Sequence, residues 1–266
     1  MIDTLLLAAA RIATFELDRG LTNASGFFFE RDDRLFLVTS RHVLIDEPSG
    51  HHPNRIEIEL HTDAADLGRS TGLSVMLFQD GKALWRQARD AGGDIDVAVI
   101  EIDRSALPVG TLLHAFTPAH LPTAGPSAGK GIEVGSGLLV VGFPLGFHDT
   151  LHHLPVVRQA VLATGWGLRF QGEGYFLTDA RTHRGTSGAP VVMRSSAAGP
   201  EPLPWKLLGV HSGRLDMSTR DKVLDESLGL NVAWYADILL TLTEPFGAKA
   251  GVPPDPAPAM APPGKT

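Results

Sequence analysis

The chain has 266 residues, enough for one large domain or two small ones with a sizeable hydrophobic core. Apolar residues make up 43% and charged residues 20%, the ordinary globular range, and the formal net charge is −7. That charge, with no long Lys/Arg cluster, argues against a nucleic-acid partner held by phosphate neutralisation. The absence of cysteine excludes a disulfide framework, a cysteine nucleophile and thiolate metal sites.

The N-terminal "MIDTLLLAAARIATFELDRG" holds a short apolar run, Leu5 to Ala10. It lacks a basic leader, carries Asp3 and is too short to span a bilayer, so it reads as the lead-in to a first strand. No other segment is a transmembrane candidate; no membrane partner and a cytoplasmic location are expected. The first half is β-rich: "IATFELDRG", "SGFFFERD", "RLFLVTSRHVL", "RIEIELHT", "LSVMLFQDGKALWRQA" and "DVAVIEI" are short apolar or alternating runs. Turn signals such as "DD", "EPSG" and "AGGD" separate them. Residues 1–115 form this unit. The Pro/Gly/Ala-rich stretch 116–131 reads as a connector.

A second β-rich unit covers residues 132–246, with "GSGLLVVGFP", "PVVRQAVLATGW", "GYFLTDA", "APVVMR", "WKLLGVHSG" and "LGLNVAWYAD". About six short strands on each side of a connector suggest an all-β protein, two packed barrels or a sandwich pair. A C-terminal helix is expected over 233–245, apolar at 234, 238, 239 and 242. Residues 247–266 are Pro/Ala-rich and read as a disordered tail whose composition names no tethering partner.

A serine hydroxyl is a weak nucleophile near neutral pH. It needs a base, an acid that orients the base, and donors for the oxyanion. His42 stands where "LFLVTSRH" leaves a strand, and Asp96 opens the apolar run "DVAVIEI". Asp94 is a rival, but Asp96 directly precedes "VAV". Ser187 lies between Gly185 and Gly188, which permit a tight turn that aims backbone N–H groups inward. Gly185 and Ser187 would supply the oxyanion donors.

Together "LVTSRHV", "DVAVIEI" and "TDARTHRGTSGAPVV", in that order, resemble the trypsin-like (chymotrypsin-fold) serine proteases, specifically the bacterial HtrA-type and glutamyl-endopeptidase-like branch without a PDZ domain. The resemblance covers roughly residues 11–240. It implies two six-stranded antiparallel barrels, with His42 as general base, Asp96 as its orienting acid and Ser187 as the acyl-forming nucleophile. It also implies no cofactor, and a protein or peptide substrate bound extended beside "HSGR" (211–214). Two positions depart from the pattern. Ala189 replaces the second glycine of the usual pair, and Thr186 stands where trypsins carry the aspartate that captures a freed N-terminus. Zymogen activation by N-terminal cleavage is therefore not expected.

"LLGVHSG" resembles the specificity-pocket wall of that superfamily, and His211 matches a histidine that the glutamyl endopeptidases carry there. Thr182 matches a threonine that assists it. Arg181, Arg184, Ser212 and Gly213 complete the expected substrate-binding set. A preference for Glu before the scissile bond is implied, ahead of Gln or Asp; His211 reads equally well as a satisfied structural histidine.

Other readings remain. The same triad on the same scaffold could serve an esterase or amidase, or the barrels could form a silent peptide-binding module. An α/β-hydrolase is disfavoured, because Ala189 breaks the Gly-x-Ser-x-Gly elbow and the triad order is wrong. "FHDTLHHLP" (147–155) concentrates histidines without a metal-binding spacing, so it reads as a loop beside the cleft, with no metal.

Overall fold

A computed structural model describes residues 2–122, 129–195, 203–215 and 229–245. The predicted tail lies outside these residues, as does 123–128 of the connector.

The first half contains β1 (Ala9–Glu16), β2 (Arg19–Arg31), β3 (Arg34–Thr39), the one-turn helix α1 (Arg41–Leu44), β4 (Arg55–His61), β5 (Ser70–Met76), β6 (Phe78–Gln79), β7 (Lys82–Ala83), β8 (Trp85–Asp90) and β9 (Gly93–Ile102). Seven of these strands form one antiparallel sheet in the order β5-β4-β1-β2-β3-β9-β8, while β6 and β7 pair separately. The second half holds β10 (Gly137–Gly142), β11 (Val156–Leu162), β12 (Tyr175–Asp179), β13 (Pro190–Arg194), β14 (Trp205–Arg214), β15 (Leu230–Tyr235) and the short helix α2 (Ile238–Leu242). Its six strands close into a barrel, β10-β11-β12-β15-β14-β13. The all-β reading therefore holds, with seven strands rather than six in the first sheet.

Side chains alternate across a strand, so a strand buried on both faces must serve two cores. β3 does this. Leu35 and Leu37 point into the interior of the first sheet with Phe28, Ile58 and Ile100. Phe36 and Val38 point the other way, into a core shared with Val141, Val192, Val210, Trp234 and Leu239 of the second half. Leu138, Val140, Leu162, Phe176 and Leu208 fill the barrel interior. This shared middle layer presses the two halves together.

The helix expected over 233–245 is shorter. Through Tyr235 the chain is strand, because Val232 and Trp234 pair with β12 on one side and β14 on the other. Only Ile238–Leu242 turns helical. Its last carbonyls and those just beyond are capped by arginines of the first sheet: Arg31 on Leu240, Arg86 on Leu242 and Arg34 on Thr243. Cations at a helix C-terminus complement its dipole.

Candidate active site

His42 lies in α1, directly after β3, and Asp96 lies in β9, the neighbour of β3. One oxygen of Asp96, Oδ1, accepts the backbone N–H of His42 at 2.8 Å; the other, Oδ2, faces His42 Nδ1 at 2.7 Å. Oδ2 also accepts Ser212 Oγ at 2.5 Å. An ionised carboxylate with three donors is a strong anchor, and it holds the proton of a neutral imidazole on Nδ1. Nε2 is then left as an acceptor. Partial burial pushes the His42 pKa down, but the hydrogen bond and charge of Asp96 push back harder, so it sits above the usual histidine value.

The hydroxyl of Ser212, a residue expected among the substrate contacts, is committed to Asp96. A bulge explains this. In β14, His211 pairs with Ala233 and Gly213 with Val232, leaving Ser212 unopposed and turned toward the first half.

Ser187 sits in the turn between β12 and β13. Gly185 and Gly188 both have left-handed backbones, with φ of +87° and +86°. Neither has room for a side chain: a Cβ on Gly188 would lie 2.2 Å from Ser25 O, and one on Gly185 would lie 2.7 Å from Phe143 O. The turn is held from three directions. The N–H of Ser25 donates to Ser187 O at 2.9 Å, and Ser25 Oγ donates to Gly185 O at 2.8 Å. The N–H of Gly188 donates to His211 O at 2.7 Å, the same oxygen that accepts Ser40 Oγ at 3.2 Å. A single carbonyl thus ties the residue after Ser187 to the residue that begins the His42 turn. The Arg184 carbonyl accepts the N–H of Leu145 at 2.6 Å, which turns the Gly185 N–H of that trans peptide the opposite way. Among the described residues, the N–H groups of Gly185 and Ser187 have no acceptor, and Ser187 Oγ has no hydrogen bond to His42 or any other group.

Of the other predicted residues, Thr182 and His211 are buried, while Arg181 and Arg184 are exposed and have no ion pair among the described residues. His211 is 1% exposed and its Nδ1 has no partner among the described residues. Burial, then the nearby charge of His42, lowers its pKa to about 4, so it is neutral at physiological pH. Thr182 Oγ1 donates to Asn231 Oδ1. That direction is forced, because Asn231 Nδ2 faces the carbonyls of Ala180 at 2.7 Å and Gly229 at 3.0 Å. β13 begins opposite Val210, so Ser212–Arg214 runs beyond it with one edge unpaired among the described residues.

Three residues here escaped sequence reasoning: Ser25, Ser40 and Asn231. Each is a buried polar residue in an apolar strand or at its end. The only signal was that a buried hydroxyl or amide needs a partner.

The chain matches the trypsin-like peptidase domain over residues 24–197, more than half its length. It belongs to the trypsin-like peptidase family, a family of serine proteases. No curated protein matches the sequence. Solved structures are similar to this chain at low identity. The serine endoprotease of Yersinia pestis is 18% identical with a TM-score of 0.49 over 88% of this chain and 61% of that one; the present chain thus spans about six-tenths of its length. A protease of Mycobacterium tuberculosis in its active form is 15% identical with a TM-score of 0.49, over 93% and 84% of the two chains. An inactivated protease paralogue of the scabies mite is 18% identical with a TM-score of 0.50, over 88% and 92%. Among the described residues no helix of this trypsin-like peptidase is long and apolar enough to cross a membrane.

Proposed function

We propose that this trypsin-like peptidase is a serine endopeptidase in which Ser187 is the nucleophile, His42 the general base and Asp96 its orienting acid. The observation that carries the reading is the Asp96 carboxylate, which holds His42 by both its backbone N–H and Nδ1 and leaves Nε2 to take a proton. In the reaction Ser187 Oγ attacks the scissile carbonyl as its proton passes to His42 Nε2. The N–H groups of Gly185 and Ser187 hold the resulting oxyanion. His42 then gives that proton to the leaving amine, and water repeats the sequence on the acyl-enzyme. The missing Ser187–His42 hydrogen bond forms as substrate enters, as such bonds commonly tighten only in the bound state. Substrate would lie extended along the free edge at Ser212–Arg214.

The pocket residues His211 and Thr182 support a polar side chain before the scissile bond, Glu or Gln. With His211 neutral and the Thr182 hydrogen committed to Asn231, the oxygen of Thr182 offers only lone pairs. Lone pairs attract the –NH₂ of a carboxamide and repel a carboxylate, so at neutral pH Gln is favoured over Glu, and Asp is too short to serve both contacts.

Because an inactivated paralogue has the same fold, fold alone does not decide activity. Digestion of a peptide library and of casein by the wild type and by Ser187→Ala tests the reading. Cleavage after Gln or Glu, absent from Ser187→Ala, is expected. Hydrolysis of p-nitrophenyl esters alone would make the protein an esterase, no Ser187-dependent turnover would make it a peptide-binding module, and cleavage after Lys, Arg or aromatics would overturn the pocket assignment.

A further inference from the structure

The histidine-rich stretch between β10 and β11 folds back onto the first half of the molecule. There it meets a carboxylate that its own sequence gave no reason to expect. Glu59 of β4 and the side chains of His148 and His153 each offer one ligand-capable atom, and all three atoms lie within 4.8 Å of one another. The imidazoles of His148 and His153 are stacked, with 6.2 Å between centroids and 29° between their planes. Two histidines and one glutamate, leaving one position for water, form a known zinc ligand set.

Each ligand is oriented by a neighbour. The Nδ1 of His148 lies 2.7 Å from the carbonyl of Gly146, which fixes its proton there and leaves Nε2 as a lone-pair donor. His61, on the same face of β4 as Glu59, donates from Nε2 to the carbonyl of His152 at 2.7 Å and so holds the backbone that carries His153. Glu59 is steadied by Ser70 Oγ on Oε1 at 2.8 Å and by Arg11 on Oε2 at 3.1 Å. Supporting contacts of this kind accompany metal-binding histidines and carboxylates. The His153 contact is the telling one. Its Nδ1 is buried 2.9 Å from Glu59 Oε1, yet is not aligned to hydrogen-bond with it. A cation bound to both atoms would satisfy this pair, which otherwise stands as an ion pair without an aligned hydrogen bond. The backbone of His153 also stands at φ +54°, an unfavourable conformation for a residue with a side chain.

We propose that Glu59, His148 and His153 form a binding site for a borderline-soft divalent cation of the zinc class, separate from the Ser187 site and joining β4 to the β10–β11 loop. Bonds of about 2.0–2.2 Å draw tetrahedral ligands to about 3.4 Å apart, so a shift of roughly 1 Å by the two imidazoles closes the set. Arg11 keeps Oε2, so the ion takes Oε1 and the site binds less tightly than one with an unshared carboxylate. The ion would also brace the turn at Ser187. The loop it fixes contains Leu145, whose N–H holds the Arg184 carbonyl and thereby the direction of the Gly185 N–H.

The test uses the full-length Ser187→Ala protein, so that binding is read without turnover. Isothermal titration with zinc, and cobalt absorption in the visible, are expected to report one ion per chain and low coordination number. His148→Ala and His153→Ala each lower affinity at least tenfold, while His51→Ala and His52→Ala leave it unchanged. Zinc is expected to raise the melting temperature, an increment lost in His148→Ala, whose metal-free melting serves as the folding control. Equal binding by wild type and the His148→Ala/His153→Ala double variant, or no saturable binding, overturns the site.

Discussion

His42 and His211 lie close enough to feel each other's charge and titrate in opposite directions. His42 has its side chain 39% exposed and a carboxylate on Nδ1, and its pKa is raised. His211 lies in β14, 1% exposed with no partner on Nδ1 among the described residues, and its pKa falls to about 4. Burial disfavours the charged imidazole in both cases; only His42 has Asp96 to overcome it. The contrast teaches that the partner assigns the role. One histidine binds a proton more readily than a free imidazole, and the other stays neutral until the pH falls toward 4.

Asp96→Asn breaks this contrast most severely. It removes the charge that raises His42 and disturbs the tautomer, so kcat is expected to fall about 10⁴-fold. In the wild type the acid limb of kcat/KM should lie above the ordinary histidine pKa, because His42 must be neutral to act. In Asp96→Asn the residual activity should persist to lower pH. A wild-type limb near pH 4 would hand the base role to His211.

Ser25→Ala tests the turn rather than the histidines. It strips partners from the Gly185 carbonyl and from the N–H of Phe143, both bonded to Ser25 Oγ. Two unpaired groups at about 1–2 kcal/mol each predict a loss of roughly 2–4 kcal/mol in urea unfolding. A displaced turn should also lower kcat about 10- to 100-fold with KM little changed. Loss of stability with kcat intact would limit Ser25 to a structural role.

The smallest effect concerns His211 and acid. Its folded pKa lies below the unfolded value of about 6.5, so the unfolded chain binds the extra proton first. Its contribution is fully present above about pH 6.5 and is lost as pH falls toward 4, at most about 3 kcal/mol. His42 does not add to this window, since its raised pKa leaves it protonated in both states below 6.5. Unfolding midpoints measured across that range should fall more steeply for the wild type than for His211→Val; parallel slopes would contradict the neutral wall.

Much of this was legible in the sequence. Strand runs such as "RLFLVT" and "DVAVIEI" carry their own pattern, and the glycines around Ser187 signal a turn that only they can make. What sequence missed depends on contacts between distant segments. The apolar spacing at 234, 238 and 239 suits a helix, but Trp234 is claimed by two strands before the helix can begin. The match of Thr182 to a pocket threonine does not reveal that its hydrogen goes to Asn231, 49 residues on. The histidines at 148 and 153 lacked a metal spacing because their carboxylate, Glu59, comes from another sheet.

The central claim is that Asp96-held His42 activates Ser187. Intact-protein mass spectrometry after fluorophosphonate treatment at mildly alkaline pH tests it most directly. One adduct on Ser187 is expected, slowed severely in His42→Ala and absent from Ser187→Ala. No adduct on the wild type, or equal labelling of His42→Ala, would contradict the account.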